Sequence, residues 1–103
     1  MKKYPIEYIL ENIKPFQGWL YLKSFPWTLE TEGFFYDEDL DISHEEEEVI
    51  QKKFTTNGWR ITLSKEDIED VISNANAQIE HPSILQLFDA FVFFFENDAF
   101  KEW

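Results

Sequence analysis

The densest chemical functionality in the chain is the stretch DEDLDISHEEEE at residues 37–48, where eight of the twelve side chains are carboxylates. Counted from Asp37, carboxylates fall at positions 1, 3, 5 and 12, which an EF-hand loop uses to bind Ca²⁺. Position 6 of such a loop needs glycine for its sharp turn, and this chain has Ile42 there. Because a β-branched side chain is disfavoured at positive φ, the pattern argues against a specific calcium site.

Few side chains are arranged for catalysis. The two histidines, His44 and His81, are far apart in sequence, and His44 needs an organised partner before it can act as a general base. No serine lies in a nucleophile-elbow context, and the three glycines are too scattered to form a phosphate-binding loop. The chain has no cysteine for a thiolate nucleophile or zinc ligand. The sequence therefore predicts a protein that is not an enzyme and takes no cofactor or metal.

Charge is concentrated in the same stretch, because residues 37–48 contribute two thirds of the net charge of −12. Such a field repels nucleic acid and anionic membranes and attracts basic partners. A helix starting near residue 45 would favour two or three acids in its first turn, but that preference does not account for eight. Two interpretations stay open: a solvated acidic loop before a helix, or a docking surface that steers a basic protein towards the chain.

Aromatic residues near this stretch are candidate anchors for the docking surface. Trp27 follows Pro26 in a predicted loop and is expected to be exposed, and Tyr36 ends a predicted strand directly before the acids. Exposed aromatic side chains beside charged groups are typical of binding interfaces. The predicted docking residues are Asp37, Glu38, Asp39, Asp41, Glu45, Glu46, Glu47, Glu48, Trp27 and Tyr36.

The elements that must position these residues follow from hydrophobic periodicity. Pro5 suits a helix start, and Ile6, Ile9, Leu10 and Ile13 have the spacing of one buried helix face. Apolar runs predict strands at residues 19–22 and 34–36, and alternation predicts a third at 59–63 with Trp59, Ile61 and Leu63 on one face.

Three further helices are predicted. Residues 45–54 form a short one, with Val49, Ile50 and Phe54 facing inward. Ser64 and Ser83 cap the other two, and the last helix, through about residue 98, is apolar nearly all round and is expected in the middle of the fold. The sequence thus predicts one α+β domain over residues 1–103, with a small three-stranded antiparallel or mixed sheet packed against three to four helices.

Cellular location is predicted from the same features. The longest apolar run, residues 91–95, is far shorter than the ~20 residues that a membrane-spanning helix needs. Glu7 and Glu11 interrupt the opening residues, which therefore do not resemble a secretory signal. Absence of cysteine fits a reducing compartment. We expect a cytoplasmic protein that does not bind membranes and is a monomer or weak homodimer.

Several segments resemble a known family. The runs IKPFQGWLYL and PWTLETEGFFYD, the acidic segment and the closing FFFENDAF are similar to small acidic immunity proteins of bacterial contact-dependent growth-inhibition and polymorphic toxin systems. The resemblance implies a protein that binds the C-terminal toxin domain of a large secreted effector, often a nuclease that cuts tRNA. Such proteins share no binding motif, so the resemblance implies no individual interface residue.

The leading hypothesis is therefore an immunity protein that neutralises a basic toxin nuclease by masking its substrate-binding or active-site surface. The alternative is an acidic nucleic-acid mimic or adaptor that regulates a host nucleic-acid-binding protein. A calcium-responsive module is the third and weakest hypothesis.

Overall fold

A four-stranded antiparallel sheet with helices on both faces organises the chain. The computed structural model describes residues 2–37 and 42–103, and it orders the strands β1-β3-β2-β4. The elements in these ranges are β1 (Tyr4–Pro5), α1 (Ile6–Glu11), β2 (Trp19–Leu22), β3 (Glu32–Tyr36), α2 (His44–Thr56), β4 (Arg60–Ser64), α3 (Lys65–Gln78) and α4 (Ile84–Asn97).

The strand missed by the sequence prediction is β1, so the predicted three-stranded sheet is a four-stranded one. Tyr4 pairs with Gly33 and Pro5 pairs with Glu32, which places β1 at the edge beside β3. A two-residue strand that leads directly into a helix carries no periodicity, and no local pattern could have predicted it. Every strand pair is antiparallel, which excludes the mixed alternative for the sheet of the described residues.

Successive side chains of β2 point to opposite faces of the sheet, and each face packs against different helices. Leu20 and Leu22 are fully buried in the main core, which lies between the sheet and the helices α1, α3 and α4. Tyr21 points to the opposite face, where it stacks on Phe34 of β3 with ring centroids 5.3 Å apart. Helix α2 packs on this second face through Phe54, whose ring lies 5.1 Å from that of Tyr21.

An irregularity in β4 changes which of its side chains are buried. Trp19 pairs with Ser64 and Tyr21 pairs with Ile61. The single residue Leu20 therefore lies opposite two residues, Thr62 and Leu63, as in a β-bulge. Leu63 therefore joins the core, whereas Ile61 stays on the other face and is 49% exposed. The prediction that Trp59, Ile61 and Leu63 share one face is wrong for this reason. Thr62 is buried, and its hydroxyl donates to the carbonyl of Leu20 at 2.8 Å.

The helix caps predicted from local sequence are confirmed. Ser64 caps α3 by accepting from the amide of Asp67, and Ser83 forms a full capping box with Gln86 at the start of α4. Helix α4 is less buried than predicted: Ala90 and Phe91 are buried and six further apolar residues are partly buried against the core, whereas Leu85 is 61% exposed. One face of this apolar helix thus remains open.

No helix within the described residues is long and apolar enough to cross a membrane.

Candidate functional site

Helix α2 carries the described part of the predicted docking surface. Ser43 is its N-cap, with an extended backbone, and the Ser43 hydroxyl accepts a hydrogen bond from the amide of Glu46 at 3.1 Å. The helix begins one residue earlier than predicted, at His44, which places Glu45, Glu46 and Glu47 in its first turn. Carboxylates there are stabilised by the positive end of the helix dipole.

Aromatic packing determines which side of α2 faces the sheet. The Phe54 ring lies 5.0 Å from that of Phe34 and 5.3 Å from that of Tyr36, both edge-on. Edge-to-face pairs at this spacing are favourable beyond the area that they bury. With Phe54 fixed on the sheet, residues one and two turns earlier on the same side of the helix must also face inward.

Glu47 is one of these inward-facing residues and is only 7% exposed. Its Oε2 accepts a hydrogen bond from the hydroxyl of Tyr36, with the two oxygens 2.7 Å apart. Two predicted docking residues therefore contact each other between β3 and α2. The expectation that Tyr36 is a free surface anchor and Glu47 a solvent-facing charge is corrected by this contact.

The outward side of α2 presents Glu45, Glu46 and Glu48, all exposed, around Val49, which is 67% exposed. We call these four residues the acidic face. Val49 was predicted to point inward, which is wrong, because it lies about 200° around the helix from Glu47 at 100° per residue. The missed signal was available in the sequence: once Phe54 is assigned to the core, helical geometry turns Val49 outward.

Shallow hollows adjoin Val49 on both sides. One, of about 500 Å³, is bordered by Ser43, Glu45, Glu46 and Ile50. The other, of about 300 Å³, is bordered by Lys52 and Lys53 near the end of the helix. The apolar side chain thus stands between a negative and a positive surface. His44 lies at the same end as the acids, with its Nε2 3.2 Å from Oε1 of Glu48.

Gly18 packs against the backbone at the start of the acidic stretch. Its φ is +91°, and a Cβ on it would clash with the backbone of Tyr36 and Asp37. Glycine thus allows the segment before β2 to pass against the end of β3, where Asp37 is exposed. The predicted docking residues Glu38, Asp39 and Asp41 lie outside the described residues.

The described residues offer no set of ligands for a metal ion. Among residues 2–37 and 42–103, no group of three or more His, Cys, Asp or Glu side chains is arranged to hold an ion. Two of the four carboxylates in the EF-hand pattern, Asp39 and Asp41, fall in the part that the structure does not describe.

Trp27 is not an exposed anchor. It is 7% exposed, and its indole Nε1 donates to the carbonyl of Lys23 at 2.6 Å. Its ring packs against Phe95 of α4, with centroids 5.0 Å apart. The loop holding Pro26 folds back onto α4, so Trp27 belongs to the core on the face of the sheet opposite α2.

Comparison with known proteins gives one match. No curated protein and no solved structure matches the chain. One family model matches residues 3–103, which is nearly the whole sequence. The chain therefore belongs to the family described as "Domain of unknown function (DUF7716)".

Proposed function

We propose that the chain is a cytoplasmic immunity protein that binds and neutralises the basic toxin domain of a secreted effector, without catalysis or a cofactor. The observation that carries the proposal is the acidic face of α2. Its three exposed carboxylates lie on the N-terminal side of the exposed Val49, whose other side is bordered by Lys52 and Lys53, and Glu47 beneath them accepts a hydrogen bond from Tyr36. The family description states no activity, so the proposal rests on this geometry, on charge and on the sequence resemblance.

The arrangement matches the physical requirements of a binding surface. Well-packed interface centres are apolar, with charged groups around them that steer the approach of the partner. Val49 supplies the apolar centre, and Glu45, Glu46 and Glu48 supply the charge. Since α2 is fixed by its caps and by Phe54, the surface needs little ordering on binding, which limits the entropic cost.

A nuclease is the toxin class that this charge fits best. Its substrate groove is basic because it binds phosphates, and a rigid row of carboxylates can take the place of the nucleic acid there. An acidic mimic that regulates a host nucleic-acid-binding protein would use the same surface, so the identity of the partner separates the two functions.

Co-expression with the product of the gene directly upstream tests the proposal. We expect the chain to restore growth of cells that produce the C-terminal domain of that effector, and to co-purify with it. Val49→Arg should abolish both effects, because a cation then replaces the apolar centre. Ala77→Arg on α3 is the matched control, since it places the same cation at another exposed apolar residue of a helix.

Protection that survives Val49→Arg would exclude the acidic face as the inhibitory surface. An upstream product that is harmless and does not bind the chain would contradict the immunity function, and binding to a host nucleic-acid-binding protein would then support the mimic.

A further inference from the structure

An aromatic groove lies on the side of the molecule away from α2. It runs between residues 25–27 and helix α4 and has a volume of about 450 Å³. Its apolar lining consists of Phe25, Pro26, Trp27, Phe88, Val92 and Phe93. Phe25 stacks on Trp27 with ring centroids 4.0 Å apart, which makes one wall a fixed aromatic surface.

A partly exposed face of α4 extends this groove along the helix. Helices α1 and α3 and the Trp27 loop pack on the other sides of α4. Leu85 at one end is 61% exposed, and Phe88 and Val92, which are partly buried and also pack against the core, follow it at positions i+3 and i+7. This spacing forms an apolar stripe of about two turns, which is the pattern that a packed helix presents to a neighbouring helix.

Two carboxylates lie along one side of the stripe. Asp89 and Glu96 line the groove, both are exposed, and they stand seven residues apart on α4. At 1.5 Å per residue their backbone positions are about 10.5 Å apart along the axis. Helix α4 contains no basic residue. Lys101 also lines the groove, but its ammonium group lies over the ring of Trp103, 4.4 Å from the centroid.

We propose that this groove is a second docking surface, which binds a basic amphipathic helix of a partner protein. The apolar stripe of that helix would pack on Leu85, Phe88 and Val92, and Lys or Arg residues seven positions apart would match the spacing of Asp89 and Glu96. A second copy of the chain is disfavoured as the occupant, because each copy has a net charge of −12 and would bring the same two carboxylates to the interface.

The groove lies where a partner can bind while the toxin occupies α2. The acidic face of α2 and the groove lie on opposite faces of the sheet, since α2 packs on Phe34 and α4 packs on the core that holds Leu20. Two partners can therefore bind at the same time without overlap. The second surface would let the chain connect its toxin, or any other ligand of α2, to a further protein.

Synthetic helical peptides test the groove without knowledge of the natural partner. The probe is a fluorescein-labelled peptide of about 18 residues, or five turns, with leucine along one stripe and lysine at the positions flanking it. A second peptide replaces every lysine with glutamate. Fluorescence anisotropy measures the affinity of each peptide for the full chain. We expect saturable binding of the lysine peptide and at least tenfold weaker binding of the glutamate peptide.

Variants of the full chain locate the binding. Asp89→Lys with Glu96→Lys should reverse the preference between the peptides, and Leu85→Ser with Val92→Ser should weaken both. The matched control is Glu66→Lys with Asp70→Lys on α3, which changes the net charge equally at exposed positions outside the groove. Circular dichroism confirms that each variant is folded.

The proposal is overturned if binding of the lysine peptide does not saturate. The same holds if the α3 control variant binds the lysine peptide as weakly as Asp89→Lys with Glu96→Lys does, because the attraction would then be non-specific. It is also overturned if sedimentation shows a dimer of the wild-type chain that Leu85→Ser with Val92→Ser dissociates, since a second copy would then occupy the groove.

Discussion

The hydroxyl of Tyr36, the last residue of β3, donates a hydrogen bond to Oε2 of Glu47 in the first turn of α2, across 2.7 Å. This contact joins β3 to α2, whose first turn carries the end of the acidic stretch. Because it turns Glu47 towards the sheet, the neighbouring residues Glu45, Glu46 and Glu48 face solvent. One carboxylate of the run thus has a structural role, and the others form the surface that we propose binds the toxin.

The first prediction concerns this contact. Tyr36→Phe removes the donor while keeping the ring against Phe54, and should lower the free energy of unfolding by about 1.5–3 kcal/mol, as expected for a hydrogen bond to a charged group. Glu47→Gln is the control, because its amide oxygen can still accept from Tyr36. Urea denaturation measures both. A loss below about 0.5 kcal/mol for Tyr36→Phe would show that the bond contributes little, and a smaller loss is expected for Glu47→Gln, which keeps a neutral hydrogen bond.

The second prediction separates the inner side of α2 from its outer side. Phe54→Ala removes the ring that contacts Tyr21, Phe34 and Tyr36, and should destabilise the protein by about 2–3 kcal/mol, somewhat below the cost at a fully buried site. Val49→Ala should change stability by less than about 0.5 kcal/mol, because the side chain is exposed. Equal losses in thermal and urea unfolding would mean that Val49 packs against the fold.

The third prediction compares two glycines with similar backbone angles. Gly18 and Gly58 have φ of +91° and +87°, so an alanine at either is strained by about 1–2 kcal/mol. Only at Gly18 would the added Cβ also clash with the backbone, at Tyr36 and Asp37. Gly58→Ala meets nothing closer than the Lys23 side chain, at 3.6 Å. We expect Gly18→Ala to lower the thermal unfolding midpoint clearly more than Gly58→Ala, and similar shifts would contradict the close approach.

Local signals were enough to predict much of the fold. The serine caps at Ser64 and Ser83 depend on the few residues that follow them, and the buried face of Ile6, Ile9 and Leu10 depends on helical spacing alone. Long-range pairing was not predictable in this way. Tyr4 and Pro5 form a strand only because β3 lies beside them, and the bulge at Thr62 depends on the register with Leu20.

The candidate site shows the same division between local and long-range effects. Composition predicts the charge of residues 37–48, and the serine cap and hydrophobic spacing predict the helix that begins within them. The outward side of α2 is readable only once Phe54 is assigned to the core, and the burial of Trp27 is not readable, because it depends on the loop that folds onto α4. These tertiary contacts bury Glu47 and expose Val49, the reverse of what their residue types suggest, and they bury Trp27, whose place in a loop predicted exposure.

Charge neutralisation of the acidic face tests the central proposal most directly. The variant Glu45→Gln, Glu46→Gln, Glu48→Gln removes three charges without placing cations against the helix dipole. The control Glu66→Gln, Asp70→Asn, Glu80→Gln removes three charges at exposed positions on and after α3.

Affinity for the upstream toxin domain is then measured by calorimetry between about 50 and 300 mM NaCl, a range over which screening of exposed charges changes strongly. We expect the α2 variant to bind at least tenfold more weakly than wild type at low salt, with a smaller salt dependence, while the control stays within about threefold, a difference below 1 kcal/mol. Equal affinity and equal salt dependence for the two variants would contradict the acidic face as the toxin-binding surface.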